Sequence, residues 1–138
     1  MNRTIIASRL SLLAVGALAA IAMAGCPEDE DPQVDVFAEV DVNDQGADPA
    51  NEVTVTRVVA VGGTWVVIHA DTAGAPGEVL GQALVADGDH LDVTVVLSRD
   101  AVLGETLWAM LHVDEGVSGT YEFPGADGPV LDEDGDVV

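Results

Sequence analysis

Alternating apolar and polar side chains dominate the C-terminal two-thirds of the chain. Residues 53–61 (VTVTRVVAV), 64–70 (TWVVIHA), 90–97 (HLDVTVVL) and 106–113 (TLWAMLHV) are rich in β-branched and aromatic residues and are bounded by Gly, Asp or Pro, the signature of short strands. In 90–97, Leu91, Val93, Val95 and Leu97 share one face and His90, Asp92 and Thr94 the other, as in a strand with one side on a core and one in water. Shorter strands are expected at 79–85 and 119–123. Gly62-Gly63 predicts a hairpin turn joining the first two strands, since such turns need positive φ. Helical periodicity is absent after the N-terminal apolar run, and turns recur about every 8 to 12 residues. The pattern predicts an all-β fold, a small antiparallel β-sandwich of immunoglobulin-like arrangement, without the Cys and Trp framework of antibody domains.

The N-terminus follows a different rule. Arg3 and Arg9 precede an apolar run, Leu10 to Ala22, and then Met23-Ala24-Gly25-Cys26. This is the charged, apolar and small-residue order of a secretory signal. The run is shorter than the roughly 20 residues a spanning helix needs, and acidic residues, not basic ones, follow it. Met23 to Cys26 resembles the bacterial lipobox, which implies cleavage before Cys26 and diacylglycerol on its thiol. Residues 1–25 are therefore expected to be a lipoprotein signal peptide. As the sole cysteine, Cys26 has no intrachain disulfide partner, and acylation would remove a thiol exposed to an oxidising exterior. Export to the cell envelope follows, at an outer membrane or the cell surface, with the membrane as partner through the N-terminal lipid.

Residues 26–52 read as an acidic, disordered tether. Between Pro27 and Glu52 there are ten acidic residues, three prolines and one aromatic, Phe37, too little apolar surface to fold alone. As a coil it would span about 25 to 30 Å. A second reading takes Val34, Val36, Phe37, Val40 and Val42 as a first strand at the edge of the 53–138 domain. The whole chain has a formal net charge of −21, contains no lysine, and after Arg9 keeps only Arg57 and Arg99 as basic residues. Without a basic patch to release counterions, nucleic acid is excluded as a partner. Cations, in contrast, are attracted.

Two segments echo each other. Trp65-Val66-Val67-Ile68-His69-Ala70-Asp71 and Trp108-Ala109-Met110-Leu111-His112-Val113-Asp114 share the pattern W-x-x-[IL]-H-[AV]-D. On a strand, Trp, His and Asp at these spacings fall on one face and the intervening apolar residues on the other. His69, Asp71, His112 and Asp114 form a transition-metal ligand set if they converge. Otherwise each His bonds its nearby Asp or a strand carbonyl while the Trps cover the sheet. Asp132, Asp134 and Asp136, at alternate positions beside Gly135, and more loosely Asp114 to Gly119, suggest a hard-cation loop without the full twelve-residue pattern. Ca²⁺ or Zn²⁺ is thus the alternative to having no cofactor. No G-x-S-x-G, phosphate-cradling loop or H-E-x-x-H occurs. No catalytic residue is assigned and an enzyme is not expected; a hydrolase built on His69/Asp71 or His112/Asp114 is the weakest alternative.

Val67-Ile68-His69, Val79-Leu80-Gly81, His90 to Val95, Leu107 with Ala109 to Asp114, and Tyr121-Glu122-Phe123-Pro124 leading to Asp127-Gly128-Pro129-Val130 carry a resemblance over Val53 to Val138. The segment resembles a domain of unknown function found, often repeated, in surface proteins of haloarchaea and secreted proteins of bacteria. The family supplies no binding residues to transfer. Its members often have a more Asn- and Gly-rich turn where Glu115-Gly116-Val117-Ser118 stands here, which weakens a calcium site at that turn. Together these readings suggest a lipid-anchored, non-enzymatic envelope module in adhesion, assembly or structure, whose protein or matrix partner is unknown.

Overall fold

In the computed structural model the described residues are 37–138; the expected signal peptide, Cys26 and the start of the tether lie outside them. Six strands follow in order: β1 (Glu39–Asp41), β2 (Glu52–Ala60), β3 (Thr64–Thr72), β4 (Ala75–Val85), β5 (Gly88–Val96) and β6 (Leu107–Val113). They form two antiparallel three-stranded sheets, β1-β2-β5 and β4-β3-β6. Pairing of the second strand with the fifth, and of the third with the sixth in the opposite sheet, is immunoglobulin-like. Val53, Val55, Val58 and Val95 of one sheet meet Val66, Ile68, Leu80 and Leu111 of the other to form the main core.

Three local expectations are corrected by this arrangement. Gly62-Gly63 makes no hairpin, because β2 and β3 lie in different sheets. Gly62 takes φ +76°, and its amide donates to Asp87 Oδ1 at 2.8 Å, so the turn carries the chain from sheet to sheet. The two-residue hairpin joins β3 to β4 instead, through Ala73 (φ 56°) and Gly74 (φ 86°), both in the left-handed region that such turns require. Residues 119–123 are loop rather than strand.

The third correction concerns β5. Asp92 adopts φ 52°, and pairing with β2 lapses there without a change of register. The inward-facing set slips by one residue at this point, from Val53 and Val55 to Val58 and Ala60 on β2. Leu91 is consequently 69% exposed. His90, expected on the polar face, is half-buried with Nε2–H donating to Ala86 O at 2.8 Å.

The segment 39–52 also departs from the tether reading. Val40 lies opposite Val58 in the β1–β2 pair, and the Gln45 side chain exchanges two hydrogen bonds with the Thr54 backbone. Arg57 fastens this edge: its guanidinium donates to Glu39 at 2.7 Å and to both carboxylate oxygens of Asp89. One cation thereby spans three adjacent strands, a use of opposite charge that composition alone does not reveal.

Where the sheets meet near β4 and β5, Ser98 N–H donates to Leu80 O at 2.7 Å. A Cβ on Gly81 would run into the Val96 carbonyl oxygen, whereas Gly46 faces open space. Gly81→Ala should therefore lower stability by about 1–3 kcal/mol through overpacking. Gly46→Ala should leave the unfolding free energy from urea titration within about 0.5 kcal/mol of the parent. Equal effects of the two substitutions would contradict the close approach.

Candidate functional site

β3 is buried on both sides: Thr64, Val66 and Ile68 point to the main core, and Trp65, Val67 and His69 to the opposite face of the sheet. Antiparallel pairing with β6 places Trp65 opposite His112, Val67 opposite Met110 and His69 opposite Trp108. The two echo segments therefore run past each other in reverse. Each Trp reaches the Asp of the other segment, with Trp65 Nε1–H donating to Asp114 Oδ1 at 3.2 Å and Trp108 Nε1–H to Asp71 Oδ1 at 2.8 Å. Val67 and Met110 sit at the centre of this local two-fold pattern.

The aspartates are thus occupied. Asp71 also accepts the Gly74 amide of the β3–β4 turn at 3.1 Å. Asp114 accepts the Gly119 amide and the Ser118 hydroxyl, and these bonds, the Gly119 amide foremost, hold its carboxyl below the usual carboxylate range. Neither joins the histidines. Among the described residues, no group of three or more His, Cys, Asp and Glu is placed to hold a metal ion.

The histidines do come together, with ring centroids 5.5 Å apart. His69 is 3% exposed and His112 fully buried. His69 Nδ1 lies 2.8 Å from Gly77 O on β4, and His112 Nδ1 lies 2.9 Å from Asp127 O in the C-terminal segment. A carbonyl only accepts, so each neutral ring carries its proton on Nδ1 and presents a lone pair at Nε2. Both Nε2 atoms are buried without a partner. The register of β3 against β4 shifts on each side of His69, and these edge-strand irregularities bring the Gly77 carbonyl to the ring.

Residues 114–138 cover this face. Tyr121 packs on Trp65, with centroids 5.4 Å apart, and Phe123 meets His112 edge-on at 4.9 Å. The Tyr121 hydroxyl lies 3.2 Å from His112 Nδ1, and burial together with the Asp127 charge pushes its pKa up to about 12, so the phenol stays neutral. Asp127, fully buried, accepts the Glu115 and Glu122 amides. Val130 and Val138 bond Leu111 from the open side of β6 and close that edge. Asp132 Oδ1 accepts the amides of Asp134 and Asp136, a turn-closing arrangement within the acidic tail.

Sequence reasoning partitioned the faces of the echo strands and identified the four residues, yet missed Met110, Tyr121, Phe123 and Asp127 as parts of one assembly. The order Tyr121, Phe123, Asp127-Gly128 was visible as a motif. Its contact with His112 was not, because a loop has no side-chain period to read.

Two consequences are measurable. Asp127→Ala leaves two amides without their acceptor and should cost about 1–3 kcal/mol of unfolding free energy. Burial, reinforced by the neighbouring His69 and opposed by the Asp127 carbonyl, holds the His112 pKa below 6.5. The unfolded chain then binds a proton that the native state refuses, so stability is full above about pH 6.5 and falls as pH drops toward the native value. His112→Asn, whose amide retains a donor near Nδ1, should flatten the melting temperature between pH 7.5 and 5.5; an unchanged slope would refute the assignment.

Comparison with known proteins places the fold in context. The chain is 34% identical over 93 residues to "Cell surface glycoprotein 2" of Haloarcula hispanica, covering 67% of this chain and 10% of that protein. "Cell surface glycoprotein 1" of the same organism matches with the same identity and coverage. The chain thus spans about a tenth of the length of these relatives. No solved structure matches. The model of one family, described as "Domain of unknown function (DUF7282)", matches residues 38–138, which take in every strand from β1 to β6, and the chain belongs to that family.

Proposed function

We propose that this chain is a lipid-anchored, non-enzymatic module of the cell envelope that holds its β-sandwich at the surface in an adhesive, assembly or structural role. The observation that carries this reading is the likeness of the folded body to proteins named cell surface glycoproteins. The same body here follows a lipobox-like Met23-Ala24-Gly25-Cys26 and an acidic segment. Two or more acyl chains give stable attachment where one is marginal.

The geometry supports a non-catalytic role. A general base must come within hydrogen-bond reach of its substrate, whereas His69 and His112 are sealed beneath Tyr121 and Phe123. Asp71 and Asp114, the orienting partners of the hydrolase alternative, are bonded to indoles. Arg57 and Arg99 are each engaged by carboxylates. The charged groups of the described surface are chiefly carboxylates, suited to contact with cations or with basic partner surfaces, and they lie among exposed apolar side chains such as Leu91, Val102 and Leu103.

Cys26→Ser should move the expressed full-length chain from the membrane fraction to the soluble exported fraction. Mass spectrometry should find acyl mass on Cys26 in the parent only. Unchanged fractionation, or an unmodified thiol in the membrane-associated parent, would overturn the anchoring reading.

A further inference from the structure

The two imidazoles under the aromatic cover have a feature that neither anchoring nor surface display uses. Sheet order places β4 beyond β3 on one side and the C-terminal segment beyond β6 on the other. His69 turns Nδ1 toward β4 and His112 turns Nδ1 toward the C-terminal segment. The Nε2 lone pairs are left buried and without a donor, in rings whose centroids lie 5.5 Å apart on the sheet face that also carries Val67 and Met110. A buried acceptor without a donor costs about 1–3 kcal/mol. Two in adjacent rings, each otherwise well bonded, call for a shared occupant that accepts electron pairs.

We propose that His69 Nε2 and His112 Nε2 bind one soft monovalent metal ion of the copper(I) type, with the thioether of Met110, which shares the face of β6 with His112, as the third donor.

Three observations select this class. Metal-bound histidines characteristically donate the other ring N–H to a carbonyl or carboxylate, and both rings do so here, to Gly77 O and Asp127 O. Imidazole and thioether together favour copper(I) over hard cations. Charge decides the oxidation level: Asp127 is the buried carboxylate neighbouring His112, and it balances one positive charge rather than two. Asp71 and Asp114, which a four-ligand zinc site would need, remain on Trp108 and Trp65. A trapped water donating to both nitrogens is the competing occupant.

The test uses the full-length chain carrying Cys26→Ser, so that the thiol does not capture the probe. Silver(I), a redox-inert stand-in, and copper(I) kept anaerobic are titrated against a competing chelator. One ion should bind per chain, and the histidine Nε2 resonances should shift while His90 stays unmoved. His69→Asn and His112→Asn remove Nε2 but keep a donor near the Nδ1 position. Each should weaken binding by more than about 100-fold, beyond the loss expected from an outer-shell partner. Met110→Leu, which preserves packing volume, should weaken it less.

A crystal structure of the silver-treated protein should show an anomalous peak between the two rings. A water at that position under saturating silver, or equal binding by parent and Asn variants, would overturn the proposal. The parent protein alone decides it if a variant fails to fold, because its Nε2 resonances either respond to one equivalent of silver or do not.

Discussion

Antiparallel pairing of β3 with β6 is the constraint on which the rest of the structure depends. Each strand carries Trp, His and Asp at the same spacing, so running them in opposite directions puts each Trp at the Asp end of its partner. The indole N–H then finds a carboxylate on the other strand, at 3.2 Å and at 2.8 Å. A parallel pairing would stack Trp on Trp and leave these donors unmatched. Strand direction thereby determines polar satisfaction on the outer face, while the intervening Val66, Ile68 and Leu111 serve the main core.

A sheet buried on both faces needs a second cover. The first is the β1-β2-β5 sheet, and the second is the C-terminal segment with Tyr121 and Phe123. The fold thus has three layers, with the β3 sheet in the middle, although only two are sheets. Asp127 holds the third layer closed, since its side chain accepts two amides and its carbonyl accepts His112. The edge of β6 is closed by the same segment, which removes a row of unpaired backbone groups that would otherwise invite another strand.

What was legible in the sequence follows the range of the physics involved. Alternation is a local property, and it located the main strands and assigned Val66, Ile68, Ala109 and Leu111 to the core side correctly. Partner choice is not local. Gly62-Gly63 has the residues of a hairpin turn, but where the next strand pairs depends on sheets assembled elsewhere. The slip at Asp92 needed a left-handed residue that no alternation rule anticipates. β1 was obscured because its strand-forming positions are interleaved with acids, and only the Arg57 clamp explains why Glu39 and Asp89 tolerate neighbouring strands. At the candidate site, the pairing of the two echoes was open to reading; the crossing of Trp to Asp required the register.

Chemical potential and net charge are consequently separated in this domain. The imidazoles of His69 and His112 are inside, beneath aromatic rings and away from any solute that cannot shed its hydration. The carboxylates are mostly outside, where water and counterions stabilise their charge and mutual repulsion discourages association between copies. The few cations are drawn into local clamps: Arg57 across three strands, and Arg99 onto Glu105, whose pKa falls to about 2 through that bond and the Val102 amide. Clamping both arginines leaves the outward field almost purely negative. A partner that recognises this surface through charge must therefore contribute the positive charge itself, while the exposed Leu91, Val102 and Leu103 offer apolar contact that needs none.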